Sequence, residues 1–260
     1  MKLNLILLHG LFGNLSNWQS VTDHFSKDHD IHVLELPLFD NPKGDILTYF
    51  VEWLNDYVAR KNLENIILVG NSLGGHVATL YAHRFPERVR ALVLTGSSGL
   101  YEKQTFGNFP RRQSYAYIQD KVAATFYDPA TATKEIVDDV FETVSDNARC
   151  IQIIRTARVT QRNYVTDILP AIQMPALLIW GNDDTITPMH VAAEFKQLLP
   201  DATLAVIDKC GHAPMMEQPT AFNRILEAFL DIVVTNINGS AFFSSFTVSS
   251  PEMRNGGERW

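Results

Sequence analysis

The chain has 260 residues, 46% of them hydrophobic, and a formal net charge of −7. That is enough apolar material for one sizeable core, and a charged fraction of 20% excludes the disordered class. No run of Lys or Arg marks a nucleic-acid or anionic-membrane surface, so neither is expected as a partner and a cytoplasmic protein is expected.

In chain order, the first apolar run covers residues 3–8. It ends in His9-Gly10 without a small-residue cleavage site, so it reads as a buried strand rather than a leader. Further strands are predicted at 31–36, 66–70, 91–95, 176–180 and 203–207, most of them continuously apolar, as in strands covered on both faces. Helical spacing marks 18–25, 46–60, 73–85, 191–199 and 222–233, with Pro86, Pro200 and Pro219 at plausible boundaries. Such alternation implies an α/β fold with a mostly parallel sheet and right-handed crossovers. The rhythm breaks between residues 98 and 167. There a loop-like stretch precedes helical patterns at 136–144 and 151–162, which together read as a helical insertion over the ligand-binding edge of the sheet. Residues 235–260 are rich in Ser, Asn and Gly and are expected to be poorly ordered. No apolar stretch reaches the roughly 20 residues of a membrane span. Cys150 and Cys210 form neither a disulfide framework nor a metal-ligand spacing.

The strongest chemical signal is Gly70-Asn71-Ser72-Leu73-Gly74-Gly75, set between an apolar strand and a helix-forming segment. A Gly-x-Ser-x-Gly run in that context is the nucleophile-elbow pattern. A sharp strand-to-helix turn strains its central residue, and side chains two positions either way would strike neighbouring backbone. The turn lifts the Ser72 hydroxyl from the sheet and aims a helix N-terminus at the reacting centre.

With that motif the chain resembles the alpha/beta-hydrolase superfamily, from about Leu3 to Val234. The resemblance implies a core over residues 1–97 and 168–234 and a helical cap over 98–167. The strand before the His9-Gly10 loop comes so early that the sheet is expected to lack the usual first strands. In this family nucleophile, acid and base follow in chain order, each in a loop after a strand. Gly181-Asn182-Asp183-Asp184-Thr185-Ile186-Thr187-Pro188 resembles the family's acid segment and selects Asp184, with Asp183 as its rival. Gly211-His212 resembles the base loop and selects His212 among eight histidines. An imidazole, with an ordinary pKa of about 6.5, can take a serine proton and hand it to the leaving group. The His9-Gly10-Leu11 segment implies an oxyanion hole formed by the backbone amides of Leu11 and Leu73. His9 itself is expected to pin its loop.

The resemblance implies a serine hydrolase of small-molecule carboxylic esters, acting through an acyl-enzyme, without metal or other cofactor, as a monomer or homodimer. Two alternatives stay open. One is carbon–carbon bond hydrolysis of the meta-cleavage product type, to which the Gly-Asn-Ser-x-Gly-Gly elbow is similar. Ala213 stands where those relatives usually carry an aromatic. The other is a binding protein without catalysis, because fold does not fix function. Phe12, Phe109 and Tyr115 are candidate substrate contacts, and Phe106, Tyr117, Phe126 and Tyr127 are further aromatics of the cap. Arg155, Arg158 and Arg162 share one helical face, either as a carboxylate clamp or as a solvated basic stripe. The apolar Leu36-Pro37-Leu38-Phe39 loop replaces a Gly-rich loop of many relatives and is expected to reshape one wall of the pocket.

Overall fold

The computed structural model describes residues 2–13, 17–101, 109 and 111–237. Its strands are β1 (Asn4–Leu8), β2 (Asp30–Leu34), β3 (Ile66–Asn71), β4 (Val89–Thr95), β5 (Ala176–Gly181) and β6 (Ala202–Ile207). They form one sheet in the order β2-β1-β3-β4-β5-β6, and every pairing is parallel. The six apolar runs of the sequence are these six strands, starting with the one that leads into His9-Gly10. β3 and β5 are buried at every position, as expected of largely apolar strands covered on both faces, and the polar Asn71 closes β3. The edge strand β6 exposes Thr203 and Val206 and buries Ala202, Ala205 and Ile207.

The helices are α1 (Gln19–Phe25), α2 (Ile46–Lys61), α3 (Leu73–Arg84), α4 (Tyr115–Ala123), α5 (Lys134–Ser145), α6 (Asn147–Thr160), α7 (Met189–Leu198), α8 (Pro214–Glu217) and α9 (Pro219–Ile237). The chain steps from β1 toward one sheet edge through α1, then toward the other through α2, α3 and α7. Right-handed crossovers running in opposite directions put their helices on opposite faces. α1 therefore covers one face, where α9 packs against it, and α2, α3 and α7 cover the other. The direction reverses between β1 and β3. The crevice above the carboxyl ends of those neighbours is where folds of this kind bind ligands.

α4, α5 and α6 fall between β4 and β5, within the stretch expected to be a helical insertion. Ser114, Thr133 and Asp146 open them by accepting hydrogen bonds from the amides of Tyr117, Ile136 and Arg149. α4 is additional to the expected helices. Only Ile118 and Val122 are buried along it, so its apolar stripe is short and its Tyr-rich start carries no helical period. Phe106 and residues 238–260, including most of the expected tail, lie outside the described residues. Cys150 and Cys210 are free, buried thiols. No helix among the described residues is long and apolar enough to cross a membrane.

Candidate active site

Ser72 sits between β3 and α3 with φ 53° and ψ −117°, a strained conformation for a residue bearing a side chain. The strain is held by its own backbone. Its amide donates to the Thr95 carbonyl at 3.1 Å, and its carbonyl accepts from His76 at 3.1 Å and Ser98 at 3.2 Å. The flanking glycines are required by close approach. A Cβ on Gly70 would stand 2.5 Å from the Gly74 carbonyl carbon, and a Cβ on Gly74 would overlap the Leu8 carbonyl. That packing also lays the start of the His9-Gly10 loop against the elbow.

Asp184 sits in the turn after β5 and is 4% exposed. Its Oδ1 accepts from the amides of Ile186 at 2.8 Å and Thr187 at 2.9 Å, and its Oδ2 accepts from the Thr187 hydroxyl at 2.9 Å. The turn is fixed from below by Trp180, whose indole N–H donates to the Thr187 carbonyl at 2.7 Å. His212 lies in the loop after β6, 6% exposed, with Nδ1 2.8 Å from Asp184 Oδ2. An ionised carboxylate only accepts, so the proton sits on His212 Nδ1 and Nε2 carries the basic lone pair. Asp183 is exposed, and its carboxylate meets the Cys210 amide at 3.4 Å. It links the loops after β5 and β6, whereas Asp184 is the carboxylate that faces the imidazole.

His9 pins its loop, as expected. Nε2 accepts from the Leu36 amide at 2.9 Å, and Nδ1 donates to the Gly10 carbonyl at 2.6 Å. This pairing needs a neutral ring. Burial lowers its pKa below the ordinary imidazole value, outweighing the upward pulls of the Gly10 carbonyl and Glu35. His9 thus joins the loops after β1 and β2. Leu73, the first residue of α3, has an amide without an intrahelical acceptor.

Leu11, Phe12 and Gly13 line a cavity of about 420 Å³ together with Leu36, Leu38 and Phe39 of the apolar loop. Asp139, Thr143, Arg149 and Ile153 of α5 and α6 close it from the cap side. The apolar loop thus walls this cavity, whose lining includes His9 but not Ser72, Asp184 or His212. Phe12 and Phe109 are both buried and meet edge to face, with centroids 6.2 Å apart. Tyr115, at the start of α4, contacts α5. Its hydroxyl donates to Asp138 at 2.7 Å, and its ring packs edge-on against Phe141. Arg155 and Arg158 of α6 and Arg162, in the turn after it, line a separate outer groove with Asp45 and Asn163. Arg155 in that groove donates to Asn41 at 2.9 Å.

Three contributors lie outside the residues that the sequence singles out. Thr187 holds the Asp184 carboxylate, and its position three residues after Asp184, in an Asp-Thr turn, is a usable signal. Asn71 donates through Nδ2 to the carbonyls of Thr95 and His212, each at 3.0 Å, so the residue before Ser72 also ties down the loop that carries His212. Glu217 accepts from backbone amides of that loop. Among the described residues no group of three or more His, Cys, Asp or Glu is arranged to hold a metal ion.

A model described as the alpha/beta hydrolase family matches residues 5–225. A 2-hydroxy-6-oxononadienedioate/2-hydroxy-6-oxononatrienedioate hydrolase of Burkholderia vietnamiensis is 28% identical, over 87% of this chain and 86% of that protein. A pimeloyl-(acyl-carrier protein) methyl ester esterase of Salmonella newport is 25% identical, over 86% of this chain and 92% of that protein. Among solved structures, MGS-MChE2, an alpha/beta hydrolase enzyme from the metagenome of sediments from the lagoon of Mar Chica, Morocco, is 40% identical. It has a TM-score of 0.72, over 89% of this chain and 92% of that one.

Proposed function

This chain belongs to the alpha/beta hydrolase family, and on that premise we propose that it cleaves small-molecule carboxylic esters through an acyl-enzyme on Ser72. The observations that carry the reading are the strained elbow serine and the buried Asp184–His212 pair, whose loop is tied to the elbow by the Asn71 side chain. His212 Nε2 takes the Ser72 proton as Oγ attacks the ester carbonyl. The carbonyl oxygen becomes an oxyanion facing the amides of Leu11 and Leu73. Donors of this kind are worth on the order of 3 kcal/mol each in the transition state. Asp184 stabilises the imidazolium. Collapse of the tetrahedral species breaks the bond to the alcohol, which leaves with the proton from His212. Water, deprotonated by the same imidazole, then attacks the acyl-serine and releases the acid and free Ser72.

Carbon–carbon bond hydrolysis is the second reading. It is favoured by the likeness to the nonadienedioate hydrolase and by the Gly-Asn-Ser-Leu-Gly-Gly elbow. Ala213, fully buried after the base, stands against it. The deciding experiment offers p-nitrophenyl esters of increasing chain length beside a meta-cleavage dienoate, with a fluorophosphonate probe as the test of the nucleophile. Ester turnover and labelling of wild type but not of Ser72→Ala support the first reading. Turnover of the dienoate alone moves the assignment to the second. A chain inert to the probe and to every substrate overturns both.

A further inference from the structure

One carboxylate accepts three backbone hydrogen bonds from two separate parts of the chain. Glu217, at the end of α8, accepts through Oε2 from the amides of Gly211 at 2.9 Å and Tyr127 at 2.7 Å, and through Oε1 from Ala213 at 3.0 Å. Gly211 and Ala213 flank His212. Tyr127 follows α4 in the insertion. The two segments also meet directly, because the His212 amide donates to the Thr125 carbonyl at 3.1 Å. Gly211 serves this contact. Its φ is not positive, but a Cβ there would stand 2.8 Å from both the Thr125 carbonyl oxygen and the Tyr127 nitrogen.

We propose that Glu217 is a positioning residue for the base, its carboxylate clamping the loop that carries His212 and docking that loop onto cap segment 125–127. The role rests on the serine-hydrolase reading above. Three amides in two loops would otherwise compete with water for partners, and an ionised acceptor makes stronger bonds to them than a neutral one. The His212 ring has Asp184 at one nitrogen, but its main chain is held by groups outside the acid turn. The Asn71 side chain takes the His212 carbonyl, Thr125 takes its amide, and Glu217 takes the amides on either side. Asp184 sets the rotation of the imidazole, and Glu217 sets where the loop places it.

The test compares full-length wild type with Glu217→Gln and Glu217→Ala on p-nitrophenyl butyrate, with hydrogen exchange read at residues 127, 211 and 213. Gln keeps one acceptor oxygen and turns an NH2 group toward a donor, so it should be intermediate. We expect kcat to fall ~10-fold in Gln and ~100-fold in Ala, the scale of a misplaced catalytic group, with KM within about twofold of wild type. Exchange should quicken at the three amides while the β3 and β5 amides keep their protection. Wild-type kcat in both variants, or activity lost only in step with the unfolded fraction, overturns the role. The two readings fail separately. An inert wild type overturns the hydrolase reading, whereas an active wild type with unaltered variants overturns the positioning role alone.

Discussion

The Thr187 hydroxyl lies 2.9 Å from Asp184 Oδ2, the oxygen that also faces His212. Thr187 is itself fully buried, and its carbonyl is held by the Trp180 indole. Threonine and carboxylate thus behave as one rigid acceptor for the imidazole, which fixes the direction of its Nδ1–H.

Asp184→Asn should lower kcat/KM by about 10³–10⁴, because a carboxamide in that place favours the wrong imidazole tautomer. Thr187→Val, which keeps the shape and removes one hydroxyl, should cost about tenfold, the worth of one hydrogen bond. Ester kinetics alongside circular dichroism would check both. An Asp183→Asn variant serves as the contrast and should stay within about twofold of wild type.

Acid should destabilise the protein through His76, which lies fully buried on α3 with Nε2 3.1 Å from Asn163 Oδ1. Burial pushes its pKa down to about 4, against the upward pull of that hydrogen bond. A histidine depressed in the folded state contributes no pH dependence above its unfolded value of about 6.5, where both states are neutral. As pH falls below that value the unfolded chain takes the proton first, and stability drops until the folded ring titrates near pH 4. Between pH 7 and pH 5 the loss should be about 2 kcal/mol, and buried His9 adds to it in the same direction. Urea unfolding at the two pH values should show a smaller difference in His76→Gln. An unchanged difference would remove His76 as the source.

Gly74→Ala should damage both stability and turnover, since its methyl would overlap the Leu8 carbonyl at the elbow. Overpacking against backbone typically costs about 1–3 kcal/mol, which is a fall in Tm of roughly 3–10 °C for a domain of this size. A variant melting with wild type and retaining full activity would contradict the close approach described.

Phe12→Ala should enlarge the cavity beside the His9-Gly10 loop and unmake the edge-to-face pair with Phe109. The expected cost is about 3–5 kcal/mol of stability. With p-nitrophenyl esters, the optimum chain length should lengthen, each further methylene that the enlarged cavity buries being worth ~0.8 kcal/mol. An unaltered chain-length profile would mean that this cavity does not receive the acyl group.

Much of the architecture is open to sequence reading because β5 and all of β3 before Asn71 are continuously apolar, as strands covered on both faces are. Gly70, Ser72 and Gly74 are legible for a related reason, since steric exclusion of Cβ leaves a clear mark in sequence. Asp184 and His212 are reached through likeness to family segments, not through spacing, for they come from loops 28 residues apart. Glu217 escapes such reading. Its work is done on backbone amides, and amides leave no residue-type signature at Ala213 or Tyr127. Tyr115 shows a related ambiguity: an aromatic in an insertion reads alike whether it faces a ligand or packs on a neighbour, and here its ring meets Phe141. α4 escapes because its helix rests on two buried side chains rather than a full stripe.

The all-parallel sheet gives the molecule two unlike ends. Ser72, Asp184, His212 and the His9-Gly10 loop all emerge where strands finish. Where strands begin there is structural bonding, such as Asn4 Nδ2 donating to the Glu64 carbonyl at 2.6 Å. A surface graft, an immobilisation tether or a fused reporter placed around residues 63–65 would leave the mouth of the crevice facing outward. Evolution has the same latitude, free to recolour one pole of the protein without retuning the other.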